Sequence, residues 1–242
     1  MIAHTQAIIL RVIDYQESSK ILTVLSAEHG KIALIAKGAK KPKNKLAGIL
    51  EIGAVLDVVY YHKPNRGVQT LTEASLYYST NTFRKDFDKA AILYSTLEMI
   101  SQLVHENEVN NPIFEFAKNF IEWLGDSGET YPSVFAYVQL RLAEISGIGL
   151  VSGLTEIPET AYLNVSSGKI SEQSEDELSY KLTPAQTRFL ILGMSTKSKN
   201  IFKAGLENGE LRQLVHHLDV YFKYHIEGYQ ERRSDSIFEQ ML

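Results

Sequence analysis

Over the first 80 positions, apolar and β-branched residues come in short runs. These are QAIILRVI at 6–13, KILTVLS at 20–26, KIALIA at 31–36, AVLDVVYY at 54–61 and VQTLTEASL at 68–76. Turn formers separate them, among them His29-Gly30 and the stretch Lys63-Pro64-Asn65-Arg66-Gly67, so the pattern predicts five strands. From about residue 81 the apolar spacing lengthens toward 3.6. Phe83, Phe87, Ala90, Tyr94, Leu97, Ile100 and Val104 then fall on one helical face. Asn111-Pro112 reads as an N-cap with proline at the first helical position, leading into Ile113, Phe116, Phe120 and Leu124. A third helix is expected from Pro132 to Ser146, with Gly147 as its stop.

Residues 148–182 break this pattern with Gly, Ser, Pro and acids, and only Ala161–Val165 looks strand-like. The region reads as a loop-rich insertion. Helical spacing resumes after Thr183-Pro184, and a final helix carries Leu211, Leu214, Val215, Leu218, Tyr221, Phe222 and His225. Its aromatic stripe is read as core. The polar tail from Gly228 is expected to fray, unless Ile237, Phe238, Met241 and Leu242 dock on a neighbour. The fold class is therefore α+β: a five-stranded barrel over 1–80, then a helical domain over 81–242 with an insertion at about 150–182. An OB-fold has this strand count and size. An SH3-like barrel would give a similar pattern.

Composition narrows the function. There is no cysteine, which excludes disulfides, thiolate nucleophiles and cysteine-type zinc sites. His4, His29, His62, His105, His216, His217 and His225 show no compact ligand spacing, so no metal and no cofactor are expected. The chain has no GxxxxGK[ST], no GxGxxG after a strand and no GxSxG. Gly147-Ile148-Gly149 lacks the rest of a dinucleotide fingerprint, and the acids Glu172, Glu175, Asp176 and Glu177 read as a solvated loop. The expectation is a protein without enzymatic activity. No apolar run approaches the length of a membrane span and no cleavable leader is evident. A soluble cytoplasmic location is expected, with no membrane partner.

The net charge of −4 hides an asymmetry. Residues 1–80 hold ten Lys or Arg against six Asp or Glu, leaving 15 against 23 for the rest. The densest basic stretch is KGAKKPKNK, with Lys37, Lys40, Lys41, Lys43 and Lys45 and no acid among them. Gly38 and Pro42 favour a loop there, and mobile ammonium groups suit phosphates without demanding a fixed base geometry. The same loop could equally be a solvated turn. Lys20, Arg11 and Arg66 are secondary candidates. Tyr15, Tyr60, Tyr61 and His62 are candidate platforms for base stacking, worth roughly 1–3 kcal/mol per base. Neighbouring strand residues face opposite sides, so Tyr60 and Tyr61 cannot both serve. A protein-only adaptor with no direct DNA binding is the competing reading. A salt titration separates the two, because phosphate contacts weaken steeply with salt.

Residues 15–50, YQESSKILTVLSAEHGKIALIAKGAKKPKNKLAGIL, resemble the signature of the RecO family. Glu17, Ser19 and Ile21 match its E-x-S-x-I-like element and His29-Gly30 its turn. Lys37 to Lys41 match its K-G-A-basic-basic loop, and Leu46 to Leu50 its L-x-G-x-L-like stretch. The resemblance implies an OB-fold ahead of a helical domain and a mediator role in homologous recombination and DNA repair. It implies binding of single- and double-stranded DNA, strand annealing, and RecA loading together with RecR. It also implies a helical-domain site for the acidic, apolar-ended C-terminal tail of the single-stranded DNA-binding protein. Arg141, amid Val138, Leu140, Leu142 and Ile145, and Arg188, beside Phe189, are the cations nominated for that tail. Arg141 could instead pair with Glu144. Many family members carry a four-cysteine zinc module after the third helix. This chain is a cysteine-free variant, and YLNVSSGKI is expected to keep the module's shape as a metal-free hairpin turning at Ser166-Ser167-Gly168.

Overall fold

A computed structural model describes residues 1–42, 44–195, 201–202 and 205–242. It divides into two compact units, Met1–Gly128 and Glu129–Leu242. In the first, strands β1 (Ile2–Tyr15), β2 (Ser19–Ser26), β3 (Gly30–Ala36), β4 (Val55–Tyr61) and β5 (Val68–Tyr78) close into a barrel of order β1-β2-β3-β5-β4. This is the OB-fold arrangement. The long β1 makes closure possible, because its first half pairs with β4 and its second half with β2, with an irregularity between Ile9 and Arg11. A bulge bends a strand and lets it serve two sheet faces. A parallel contact of β3 with β5 completes the ring. Alternation fills the interior with Ala7, Ile9, Leu22, Val24, Leu34, Leu56 and Tyr60.

Two helices complete this unit, so the spatial division falls later in the chain than the change of periodicity near residue 81. Helix α1 (Phe87–Leu103) starts at Asp86, whose carboxylate accepts from the Lys89 amide. Its buried face differs from the sequence expectation. Leu97 and Ile100 are buried, but Phe87 and Tyr94 are exposed, and Ile92, Leu93, Thr96 and Met99 take the interior. The helix buries more than one stripe, so several periodic faces fit its sequence. Helix α2 (Asn111–Asp126) is capped by Asn110, which accepts from Ile113, one residue earlier than expected. The turn into β3 is pressed onto the loop before α2. Gly30 has φ +65°, and a Cβ there would lie 1.9 Å from the Glu108 carbonyl oxygen, so both the backbone and the space require glycine.

In the second unit, α3 (Ser133–Ile145) ends at Gly147 with φ +78°, and Ile148 donates back to Ala143. The following region is a sheet rather than a loop. Strands β6 (Val151–Ser152), β7 (Ala161–Asn164), β8 (Lys169–Ser171) and β9 (Ser179–Leu182) lie in the order β6-β8-β7-β9. The β7–β8 pair is the expected hairpin, turning at Gly168 with φ +68°. Ala161, Leu163, Val165, Ile170 and Leu182 are buried in this subdomain. The Asn164 amide donates to Ser171 and Gln173 and accepts from Glu175 and Ser179. Apolar packing and an amide network thus occupy the position where relatives are expected to hold zinc, and the residues present do not fit that metal.

Helix α4 (Pro184–Ser195) opens on a reciprocal cap between Thr183 and Gln186. Helix α5 (Asn208–His225) buries Leu211, Leu214, Leu218, Tyr221 and Phe222, so Tyr221 and Phe222 are core, while Tyr224 is exposed. Tyr221 donates to the Ile148 carbonyl, and the His225 ring meets the Val165 carbonyl. The tail docks instead of fraying. Phe238, in α6 (Asp235–Glu239), packs on Phe135 with ring centroids 4.9 Å apart. Arg232, its side chain only 1% exposed, forms a two-pronged pair with Asp219 and a second pair with Asp235 at 2.6 Å. Burial opposes that charge, yet the hydrogen bonds and field of Asp219 hold the guanidinium above its ordinary value.

Candidate nucleic-acid interface

The basic loop leaves the barrel at the end of β3 and is braced from within. Gly38 turns with φ +68°, which sends Ala39 into the core while Lys37, Lys40, Lys41 and Lys45 stay exposed. The Lys40 amide donates to the Ser18 carbonyl at 2.9 Å, tying the loop to the β1–β2 turn. Asn44 donates to the Gly38 carbonyl at 2.8 Å and accepts from Leu46 at 2.9 Å. Leu46 and Ile49 pack against the barrel core. Small and apolar residues therefore fix the backbone and leave the lysine side chains to solvent. Lys43 lies outside the described residues. Among those described, Lys37, Lys41 and Lys45 make no ion pair.

Lys40 does. Its ammonium lies 2.9 Å from the Asp14 carboxylate, so the absence of acids within the loop sequence does not hold in space. Asp14 stands opposite Lys20 in the β1–β2 ladder. The Lys40 hydrogen bond holds its carboxyl below the ordinary value, against a small cost of burial and aided by the charges of Lys40 and Lys20.

Strand register shows what shares the outer wall. Ile13 on β1 stands beside Ile21, Ile21 beside Ile35, Ile35 beside Thr70, Thr70 beside Tyr61, and Tyr61 beside Ile2. The next outward row runs Arg11, Thr23, Ala33, Val68. Arg11 and Tyr15 sit two residues either side of Ile13, on the same face, and both are exposed. The wall beside the lysine loop is thus an apolar band of half-exposed and exposed side chains with Arg11, Tyr15 and Tyr61 within it or at its margins, while Lys20, aligned with Asp14 and the buried Ala36, belongs to the alternate row. Ile2, Ile13 and Val68 were missed by sequence reasoning, although the alternation Arg11, Ile13, Tyr15 carried the signal.

Tyr60 is a correction. It is fully buried, while Tyr61 is 49% exposed, because Tyr60 shares its inward row with Ala3 and Leu71. Burial pushes its phenol up to about 12, and it has no surface on which a base could stack. His62 is half-buried against His29, with ring centroids 4.8 Å apart. Arg66 is exposed in the β4–β5 turn. Because β5 enters beside Ala33, Arg66 lies toward the Gly30 end of β3, away from the end that releases the lysine loop.

In the second unit, the Arg141 guanidinium pairs with Glu144 one helical turn on, as the structural alternative for that residue required. Arg188 is exposed beside the buried Phe189. Among the described residues, no group of three or more His, Asp or Glu could hold a metal ion, and no helix is long and apolar enough to cross a membrane.

Barrel topology and the braced basic loop together define a protein of the oligonucleotide- and oligosaccharide-binding barrel class, joined to a helical body. The family descriptions Recombination protein O N terminal and Recombination protein O C terminal match residues 1–80 and 84–234. The chain belongs to the RecO family, and its role is in DNA repair and recombination. It is 31% identical to a DNA repair protein RecO from Chloroherpeton thalassium over the full length of both chains. Similarity to proteins of the same name from Chlorobium limicola, at 35%, and Salinibacter ruber, at 34%, covers 61% of this chain and 56% of each of theirs.

Proposed function

We propose that this protein is a recombination mediator without catalytic turnover, which binds single- and double-stranded DNA through the barrel wall. Lys37, Lys40, Lys41, Lys43 and Lys45 take phosphates, Lys20 and Arg11 extend the basic surface near the loop, and Arg66 adds a separate cation toward the other end of β3. Tyr15 and Tyr61 offer rings to unpaired bases. The observation that carries this reading is the internally braced loop that leaves Lys37, Lys41 and Lys45 without ion pairs among the described residues. A backbone fixed this way spares the ordering cost that a floppy loop would bear on binding. Holding strands by phosphate and exposing bases on an apolar wall is the chemistry that annealing needs, and no bond in the protein is made or broken.

RecA loading together with RecR, and docking of the acidic tail of the single-stranded DNA-binding protein on the helical body, complete the proposed role in the cytoplasm and at the nucleoid. For the tail, Arg188 is the better-placed cation, because Arg141 would first have to release Glu144. Calorimetry with the tail peptide on Arg141→Ala and Arg188→Ala separates them.

The decisive experiment is fluorescence anisotropy with labelled single-stranded DNA across a salt series, comparing the parent with the Lys37→Ala, Lys41→Ala, Lys45→Ala triple variant. Each lost phosphate contact lowers the salt slope by about 0.7 on a single strand, so the triple variant loses roughly two units of slope and roughly 30- to 100-fold in affinity near 0.1 M salt. A folded triple variant with unchanged affinity and slope refutes the assignment.

A further inference from the structure

The proposed phosphate element contains an acid that its own sequence stretch does not. We infer that Asp14 is a built-in competitor for phosphate, an acceptor that occupies Lys40 in the free protein and must be displaced when nucleic acid arrives. The inference rests on the DNA-binding reading of the loop and adds to it.

Three observations carry it. Asp14 lies 2.9 Å from the Lys40 ammonium and directly opposite Lys20, so one carboxylate addresses two cations of the surface. The pair is not needed to place the loop. Ala39 in the core, the Lys40 amide on Ser18 and the Asn44 bonds already do that. Finally, the Asp14 side chain is 63% exposed, and an ion pair so open to water is easily exchanged. A phosphate approaching Lys40 therefore meets an ammonium already engaged and a carboxylate that repels it. Both effects lower affinity and speed release. A mediator that must pass a strand on benefits from such reversibility.

Glu17 provides the control. It is exposed near the same turn and makes no ion pair among the described residues. Asp14→Asn and Glu17→Gln each remove one negative charge from this end of the barrel, but only the first frees Lys40. Binding of labelled single-stranded DNA is measured over a salt series for the parent, both variants and Asp14→Ala. Asp14→Asn and Asp14→Ala are expected to bind about 5- to 10-fold tighter at low salt, with a slope steeper by about 0.7, because in the parent the displaced carboxylate takes up a cation that offsets the counterion released at the Lys40 phosphate contact. Glu17→Gln is expected to tighten binding less than about 2-fold with an unchanged slope, since screening limits distant charges. Equal effects of Asp14→Asn and Glu17→Gln reduce Asp14 to bulk charge and overturn the inference. Weaker binding by both Asp14 variants makes Asp14 a positioning residue for Lys40, and also overturns it. A parent that shows no salt-dependent DNA binding removes the functional reading itself, and this inference falls with it.

Discussion

The two units of the chain use cations in opposite ways. In the unit Met1–Gly128, Lys37, Lys41 and Lys45 stand in solvent on a loop braced by backbone and Asn44 hydrogen bonds, and Lys40 holds a carboxylate that water can replace. In the unit Glu129–Leu242, Arg232 is buried beneath Phe135 and Tyr229 and held by Asp219 and Asp235. The contrast teaches that the number of basic residues says little about their work. A solvated ammonium retains its full attraction for a phosphate. A buried guanidinium has already lost its water, and its partners are fixed by the fold.

Arg232→Ala should produce the largest effect. It leaves Asp219 and Asp235 facing an interior without their cation and uncouples the tail from α5. Unfolding by urea should show a loss of about 3–5 kcal/mol. Pairing Arg232→Met with Asp219→Leu should recover part of this loss, since it removes one of the two carboxylates left without their cation and leaves only Asp235. If Arg232→Ala is neutral, the tail is not latched by this network and the contrast between the units collapses.

A second test uses pH and again probes the helical unit. His217 stacks on Tyr180 with ring centroids 4.2 Å apart. Burial, and next the neighbouring His216, push its pKa down to about 4. The unfolded chain therefore takes up a proton near pH 6.5 that the folded chain refuses. This contribution to stability is complete above about pH 6.5 and is lost as pH falls toward 4. After discounting for partial exposure, the effect amounts to about 1–2 kcal/mol. Because carboxylates titrate in the same window, the observable is the difference between parent and His217→Gln in denaturation at pH 7 and pH 4.5. The variant should lose less on acidification; an identical loss contradicts the buried neutral imidazole.

The smallest effect belongs to the barrel. Lys37→Ala or Lys41→Ala should shift stability by less than about 0.5 kcal/mol in the same urea experiment, while weakening DNA binding if the proposed interface holds. A large loss of stability from either lysine would make it a structural residue, like Arg232.

Much of this architecture could be read along the chain. The strands of the barrel appeared as separate alternating runs because each has one wet face, and Thr183-Pro184 and Gly147 marked helix ends through local backbone chemistry. The lysine loop was legible for the same reason, since five lysines in nine residues need no tertiary information to be noticed. The β6–β9 sheet was not. Strands of two to four residues carry too few alternations to register, and their ladder bonds join positions such as Tyr162 and Lys181 that are far apart in sequence. The outer band of the barrel was only half legible. Ile13 and Tyr15 share a face by spacing, but their alignment with Ile21, Ile35 and Tyr61 depends on register among strands.

The sequence by itself therefore determined the order of the barrel strands and the long helices, the lack of any cysteine chemistry, the basic loop and the family. These are local or compositional properties, set by residue type and spacing. Tertiary structure alone decided that Tyr60 points inward while Tyr61 points out, because one step along a strand reverses the face and only the barrel's curvature defines which face is inside. It alone brought Asp14 to Lys40 across 25 intervening positions and Asp219 to Arg232 from helix to tail. Charges attract without regard to chain separation. Which of them meet is settled by the packing of the apolar residues that carry them, and the sequence near either partner does not contain that information.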